Sequence, residues 1–297
     1  MAVNVSKVEP KYRRPLNDEQ LLVLRLLYRF RFGTSEYIAE FLGKSNVKVV
    51  QKKLKILEDQ GFISKRYDKG YKLAGRPAEY FLTPKGARAA MAKDDPKANN
   101  SQKITPQGIK NLYKNPGVSD DFIGHCLNIL KISLKLGTVY GNKLATFTRM
   151  QMIPFSYLPT WRPDLLFSLK TGAKGKGTPK RFFLDIWDGT RPFFVSVKKA
   201  RSYIKYSEEG DWPTDSQAFP VLLMLCDTVK NETKLRRQIR KALEESYEDM
   251  VFATATIDDF LDSGSSLDKL WHTVAEDSED DKSYTLANLY KSLEQSD

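Results

Sequence analysis

The stretch RPDLLFSLKTGAKGKGTPKRFFLDIWDGT, residues 162–190, decides the fold of the second half of the chain. Two apolar runs flank a segment rich in Gly, Lys and Pro, which is typical of two β-strands joined by a turn. Asp164 precedes the first run, and Asp185 and Asp188 lie at the end of the second. Paired carboxylates can hold Mg²⁺ through oxygen ligands. The stretch is therefore either a metal-dependent nuclease site or a pair of strands that keeps only the outline of one.

The elements after residue 119 predict an α/β sandwich around a mixed sheet. An amphipathic helix precedes three strands, which are followed by a helix, a strand, a helix and a closing strand. The run FPVLLMLCD, residues 219–227, is typical of a strand buried on both faces. This order predicts a domain with helices packed on a sheet over residues 119–262. The acidic residues 263–297 are expected to form a solvated tail.

Residues 1–92 have the pattern of a winged helix-turn-helix. Three amphipathic helices end at Gly61, and the segments FISKRY and AEYFLT then alternate as half-buried strands. The residues between these strands are rich in Gly and Lys, which predicts a β-hairpin with a basic tip. Residues 93–118 are rich in Pro, Asn and Gly, and they predict a linker with a short turn of helix at GIKNLY.

The third predicted helix has a basic and amide-rich face opposite its apolar stripe of Val50, Leu54 and Leu57. Lysines can contact phosphates or guanine, amides can pair with adenine, and a valine can contact the thymine methyl group. This face is therefore expected to enter the major groove of DNA. The predicted DNA contacts are Asn46, Lys48, Val49, Gln51, Lys52 and Lys55 on the helix, and Lys65, Arg66, Lys69, Lys72 and Arg76 on the hairpin.

The positive charge of the chain is concentrated in its first part. Residues 1–119 contain 24 Lys and Arg against 11 Asp and Glu, whereas residues 120–297 contain 24 against 26. This distribution favours an N-terminal module that binds a polyanion and a nearly neutral second domain. A winged helix used only for protein contacts is the alternative.

Two resemblances follow from these motifs. The element order, with Pro163-Asp164 on one strand and Asp185-x-x-Asp188 on the next, resembles the restriction-endonuclease-like (PD-(D/E)xK) fold. Residues 18–255 as a whole resemble the replication-relaxation family, whose plasmid-borne members combine a winged helix, a helix with His and Asn, an RPD motif and a strand ending in GT. The matching residues are His125 and Asn128, Arg162 to Asp164, and FFLDIWDGT at 182–190. The resemblance implies a role in plasmid replication, relaxation or mobilisation, and it implies no defined catalytic set.

A nuclease of this fold needs two carboxylates for Mg²⁺ and usually a lysine that polarises the attacking water. Asp164 and Asp185 are the candidate metal ligands, and Mg²⁺ is the candidate cofactor. Trp187 stands where the pattern expects the lysine, so Lys198 on the next helix is the candidate replacement. His125 is a further candidate catalytic residue. The missing lysine favours a second domain that does not catalyse hydrolysis.

Other chemistries find little support in the sequence. The two histidines are far apart and form no HxH pattern, as a tyrosine relaxase with a histidine-held metal would need. The segment TGAKGKGTPK lacks the spacing of a phosphate-binding loop and precedes a strand rather than a helix. Cys126 and Cys226 have no spacing typical of a zinc site.

The sequence thus predicts a cytoplasmic double-stranded-DNA-binding protein of a plasmid or similar element. The first alternative is a Mg²⁺-dependent endonuclease targeted by the winged helix, and the second is a dimeric transcriptional regulator. The expected partners are DNA and either a second copy of the chain or plasmid replication and mobilisation proteins. No apolar run is long enough to span a membrane.

Overall fold

The computed structural model of the chain describes residues 15–94, 103–170, 179–210, 212–213, 219–246, 248–264, 269–274 and 283–289. Within these residues the chain forms a three-stranded and a seven-stranded β-sheet, with helices packed on both. The predicted turn between the two strands of residues 162–190 falls on residues 171–178, outside the described residues, as does most of the acidic run after residue 274.

The first part of the chain packs its helices against a small antiparallel sheet of three strands. Its strands lie in the order β1-β3-β2, so the last strand is central. Its elements are α1 (Asp18–Phe30), β1 (Phe32–Gly33), α2 (Ser35–Phe41), α3 (Val47–Asp59), β2 (Ile63–Arg66), α4 (Lys69–Leu73), β3 (Glu79–Leu82) and α5 (Pro84–Met91).

Polar side chains fix where these helices begin. The Asn17 side chain accepts a hydrogen bond from the backbone of Gln20, whose own side chain accepts one from the backbone of Asn17. Thr34 caps α2 in a similar way, and Thr83 caps α5 with Pro84 in its first turn. Each cap satisfies an amide that has no partner inside the helix. These caps therefore set the first residues of α1, α2 and α5.

The connection between β2 and β3 is not the simple hairpin tip expected from its composition. Residues 69–73 form helix α4, which Asp68 caps by accepting a hydrogen bond from the amide of Tyr71. The Tyr71 ring is buried, and its hydroxyl donates to Glu79. The sequence missed this helix because Gly and Lys in a short segment are equally typical of a turn.

The described part of the expected linker is packed into the molecule. Residues Pro106–Leu112 form helix α6, and Asn115–Gly117 form a 3₁₀ turn. Ile104, Ile109 and Leu112 are buried in the same core as α1. The prediction of a turn of helix at GIKNLY is confirmed, and the described part of the predicted linker, residues 93–118, packs into the core.

The second part of the chain carries a mixed sheet in the order β10-β9-β8-β7-β6-β5-β4. The pairs β6–β7 and β7–β8 are parallel, and the other pairs are antiparallel. The elements are α7 (Asp120–Tyr140), β4 (Leu144–Thr148), β5 (Leu165–Lys170), β6 (Pro179–Trp187), α8 (Phe193–Glu208), β7 (Val221–Cys226), α9 (Val229–Glu244), β8 (Phe252–Thr256), α10 (Ile257–Asp262), β9 (Trp271–Thr273), β10 (Ser283–Tyr284) and α11 (Leu286–Leu289).

This order confirms the predicted mixed sheet and the predicted sequence of elements up to β8. The fully buried strand β7 lies at the centre of the sheet, as its uninterrupted apolar run predicted. The sheet nevertheless continues through β9 and β10 into the residues expected to form a solvated tail. Trp271 is completely buried, and Leu286 and Leu289 also belong to the core. The prediction of a tail over residues 263–297 is therefore wrong for its described part.

One apolar core extends through both parts of the chain. It contains Leu24 and Leu27 of α1, Leu130 of α7, Phe167 of β5 and Trp271 of β9. Near this core, Phe32 and Phe81 of the small sheet pack against Ile123 and Cys126 of α7. The small sheet therefore rests on the first helix of the second part. None of the described helices is both long and apolar enough to cross a membrane.

Candidate functional site

The two predicted metal ligands, Asp164 and Asp185, lie side by side at one end of β5 and β6. The last pair in the register of these strands is Leu165 with Leu184. Beyond this pair, backbone amides of one strand donate hydrogen bonds to carboxylates of the other. The amide of Asp164 donates to Oδ1 of Asp185 at 3.1 Å, and the amide of Ile186 donates to Oδ2 of Asp164 at 2.9 Å. Both carboxylates are buried. The two candidate metal ligands therefore lie together in the structure.

Lys199, rather than the predicted Lys198, reaches this pair of acids. Its Nζ donates to Oδ1 of Asp185 at 2.6 Å and to the carbonyl oxygen of Arg162 at 2.8 Å. Lys198 is exposed to solvent, because successive residues of a helix are turned by about 100° and Lys198 therefore points in a different direction from Lys199. The Tyr203 hydroxyl, one turn further along α8, donates to Oδ2 of Asp185.

His125 of α7 joins Asp164 to the third carboxylate, Asp188. Its Nδ1 lies 2.8 Å from Oδ2 of Asp188, and its Nε2 lies 3.3 Å from Oδ1 of Asp164. The Asn128 amide lies one helical turn away and donates to the same Asp188 oxygen at 3.5 Å. The Thr190 hydroxyl donates to Oδ1 of Asp188 at 2.7 Å. The His, the Asn and the strand end quoted from the sequence therefore meet at one place.

A third cation, Arg149, completes the cluster. Its guanidinium lies 3.1 Å from Oδ1 of Asp164, and 41% of its side chain remains exposed. No sequence motif marks this residue, because Arg149 lies in the turn after β4. We use the name charge cluster for three carboxylates and three cationic side chains: Asp164, Asp185 and Asp188 with His125, Arg149 and Lys199.

The environment of the charge cluster favours its ionised form. Burial alone lowers the pKa of His125, but Asp164 and Asp188 outweigh burial and raise this pKa to about 9. Burial also opposes ionisation of Asp164, yet Arg149, His125 and Lys199 hold the pKa of its carboxyl well below the usual value. Burial lowers the pKa of Lys199, and Asp185 offsets part of that effect. Three negative and three positive charges then balance, which is the condition for keeping buried charges in a protein interior.

The donor atoms of this cluster do not fit a Mg²⁺ ion. Three of the four carboxylate oxygens of Asp164 and Asp185 accept hydrogen bonds from the chain itself. The fourth, Oδ1 of Asp164, lies between the cations of Arg149 and His125. A Mg²⁺ ion needs several free oxygen ligands in near-octahedral arrangement. In the described part of the chain, no three His, Cys, Asp or Glu side chains are arranged to hold a metal.

A family model described as replication-relaxation matches residues 24–222. The chain belongs to the replication-relaxation family. The match runs from α1 to the start of β7, so it includes α3, α7 and all six residues of the charge cluster. Neither the curated proteins nor the solved structures contain a match to this replication-relaxation protein.

The predicted DNA-contacting face of α3 is open. Val50, Leu54 and Leu57 are buried, and the residues on the opposite face of the helix are exposed. Even the apolar Val49 and Ile56 of that face are 43% and 47% exposed. The exposed residues include all six that the sequence assigned to the helix: Asn46, Lys48, Val49, Gln51, Lys52 and Lys55.

The predicted contacts on the hairpin fall into two groups. Lys69 and Lys72 are exposed on α4 beside Leu73, whose side chain is 89% exposed. Arg66 and Arg76 instead bind the carboxylate of Asp120 at the start of α7, at 2.7 and 3.0 Å. Lys65 pairs with Glu58 at 3.0 Å. Three of the five basic residues are therefore neutralised by acids of the chain.

Proposed function

We propose that this replication-relaxation protein binds double-stranded DNA through a winged helix-turn-helix in which α3 is the recognition helix. The proposed process is replication, relaxation or mobilisation of a plasmid or similar element, in the cytoplasm where such DNA lies. The exposed face of α3 carries the proposal, because a helix that buries one apolar stripe and exposes lysines and amides on the other side suits the major groove.

The arrangement of the first part of the chain supports a winged helix. Helices α2 and α3 are consecutive and packed together, as in a helix-turn-helix. The strands that follow α3 form a sheet with β1, and the connection between β2 and β3 projects Lys69 and Lys72 into solvent. The excess of 24 basic over 11 acidic residues in positions 1–119 gives this part the field that attracts a polyanion.

We further propose that the second part keeps the frame of a restriction-endonuclease-like fold without its metal chemistry. The order α7-β4-β5-β6-α8-β7 supports this frame, with Asp164 and Asp185 at the position of the metal acids. The charge cluster fills that position with the chain's own cations. In this proposal, the charge cluster joins α7 and α8 to the adjacent ends of β5 and β6. The proposed partners of this part are a second copy of the chain or plasmid replication proteins.

Replacement of Lys48 and Lys52 by alanine tests the recognition helix. Both lysines are exposed on α3, so the Lys48→Ala/Lys52→Ala variant is expected to fold normally and to lose at least tenfold in affinity for duplex DNA near physiological salt. The slope of log affinity against log salt should fall by about 2, because each phosphate contact contributes roughly 0.9 to that slope. Fluorescence anisotropy with a labelled duplex over a salt series measures both quantities.

The matched control is Lys131→Ala/Lys143→Ala, which removes two exposed lysines from α7 and the turn before β4. It changes the net charge of the chain by the same amount. Equal losses in the two double variants would show that binding follows overall charge, and the assignment of α3 would then be wrong.

A nicking assay tests the proposed absence of metal-dependent hydrolysis. Supercoiled plasmid incubated with the protein and Mg²⁺ or Mn²⁺ is expected to stay supercoiled, because the carboxylate oxygens are engaged within the charge cluster. Nicking that disappears in Asp164→Asn but persists in Asp121→Asn, an exposed acid on α7, would contradict the proposal.

A further inference from the structure

A cavity of about 300 Å³ lies between the first and second parts of the chain. We call it the junction pocket. It is bounded by the end of α1, by α6 and Lys114, which precedes the 3₁₀ turn, by the first turns of α7 and by the turns that follow β4. Its volume is at the lower end of the range found for small-molecule sites. His125, Arg149 and Asp164 of the charge cluster belong to its wall.

Cationic side chains dominate the wall of the junction pocket. Asp164 is the one carboxylate among the lining residues, and its Oδ1 is already held between Arg149 and His125. The six lining cations other than His125 are Arg29, Arg31, Lys114, Arg149, Arg162 and Arg191. Five of the six are arginines, whose planar guanidinium matches the oxygens of a phosphate group.

Several of these cations have no acidic partner in the described part of the chain. Arg29 donates to Gln151 and Thr146, and Arg31 donates to Asn115 and to the carbonyl oxygen of Asn111. Burial lowers the pKa of both arginines, that of Arg29 to about 10. Burial and then the charge of Arg149 lower the pKa of Arg162. The wall therefore holds crowded positive charge that an anion inside the pocket would compensate.

Buried polar atoms in the same wall also lack hydrogen-bond partners. Oγ1 of Thr148 and Nε of Arg149 have none, although both can donate a hydrogen bond. Buried donors in folded proteins are nearly always satisfied by the chain, by water or by a ligand. These two donors are the second, independent observation that points to an acceptor-rich group in the junction pocket.

The remaining wall is apolar and partly aromatic. Phe30, Phe122, Ile129, Met150 and Ile153 line it. The Arg31 guanidinium lies 4.6 Å from the centre of the Phe122 ring, so one flat cationic group already stacks there. Guanidinium planes and aromatic rings are the surfaces on which nucleobases stack. The pocket thus offers phosphate-binding arginines beside a surface for a planar ring.

We propose that the junction pocket binds a nucleotide phosphate, with the phosphate among the arginines and the base against the apolar wall. The nucleotide is either a free mononucleotide or the 5′-phosphorylated terminal residue of a DNA strand. The two sources share the same chemistry, and neither uses the exposed face of α3. The site is therefore separate from the proposed duplex-binding surface.

Isothermal titration calorimetry on the full-length Lys48→Ala/Lys52→Ala protein tests this site, because that background removes the proposed duplex contacts of α3. The probes are dAMP, dTMP, the corresponding nucleosides, inorganic phosphate, and one short single-stranded oligonucleotide with a 5′-phosphate or a 5′-hydroxyl. We expect a phosphate-bearing nucleotide probe to bind with 1:1 stoichiometry at least tenfold more tightly than its nucleoside and than inorganic phosphate. Tighter binding of dAMP or dTMP identifies a free nucleotide, and tighter binding of the 5′-phosphorylated oligonucleotide identifies a strand end.

The variant Lys114→Gln/Arg191→Gln removes two exposed cations from the wall without touching the charge cluster. It should weaken nucleotide binding about tenfold or more, since each change removes a charge-assisted contact. The control Lys110→Gln/Arg201→Gln removes two exposed cations of the same types that do not line the pocket, and it should bind as the background protein does. The proposal is overturned if no nucleotide probe binds, if the nucleoside or phosphate binds equally well, or if the two double variants behave alike.

Discussion

His125 is held between two buried carboxylates, so its protonation is coupled to the stability of the fold. The raised pKa, from the usual 6.5 to about 9, means that the folded chain binds this proton more tightly than the unfolded chain. The resulting stabilisation is fully present below about pH 6.5, and it is lost as the pH rises through about 9. At 1.36 kcal/mol per pKa unit, it amounts to roughly 3 kcal/mol.

We therefore expect the free energy of unfolding of the wild-type chain to fall between pH 6.5 and 9, and His125→Asn to lack this part of the pH dependence. Urea denaturation followed by circular dichroism at several pH values measures the difference. Asn128→Ala is the control, because it removes a weak 3.5 Å contact to the same Asp188 without removing a titrating group. If His125→Asn and wild type lose stability in parallel over this range, the ion pairs of His125 do not form as described.

At the residue scale, the sequence identified part of the charge cluster. Asp164, Asp185 and His125 could be named because strand ends and the resemblance marked them. Lys199 could not be separated from Lys198, because the two differ only in helix rotation, and the start of α8 sets that rotation. Arg149 and Tyr203 could not be assigned, because their contacts depend on how a turn and a helix pack against the ends of β5 and β6.

At the scale of elements, the α4 region and α7 share an ionic contact that would compete with the proposed DNA binding. Asp120 at the start of α7 binds both Arg66 and Arg76. Sequence composition counted these arginines as free DNA contacts, because it cannot show a long-range acidic partner. The individual pairs are partly exposed and therefore contribute little to stability. Their effect is to offset one positive charge at the surface around α4 with the single carboxylate of Asp120.

Asp120→Ala should release Arg66, while Arg76 stays paired with Glu79, and raise the affinity for duplex DNA. The salt dependence should steepen by up to about 1 in the log–log slope, if the Arg66 guanidinium then contacts a phosphate. Asp121→Ala is the matched control, because Asp121 is exposed beside Asp120 and is in no described salt bridge. It removes the same negative charge without releasing an arginine. Equal effects of the two variants in a salt series would mean that Arg66 stays neutralised or points away from DNA.

At the scale of the whole molecule, the segment expected to be a linker joins the two parts of the core. Gly108 of α6 packs so closely on α1 that an added Cβ atom would lie 2.1 Å from the hydroxyl oxygen of Tyr28. That hydroxyl also accepts a hydrogen bond from the amide of Thr105. Composition predicted a linker here, because Pro, Asn and Gly are common in linkers. The burial of Ile104, Ile109 and Leu112 depends on contacts that the sequence alone does not show.

This packing predicts that the chain unfolds as one cooperative unit, although its sequence suggests two domains and a linker. Differential scanning calorimetry should show a single transition for the wild type. Gly108→Ala should shift the whole transition to lower temperature, because overpacking against Tyr28 costs about 1–3 kcal/mol. The control is Gly124→Ala on α7, where the added methyl meets open space and a helical alanine is favoured, so its transition should stay or rise. Two separate transitions, of which Gly108→Ala shifts only one, would show that the first and second parts fold independently.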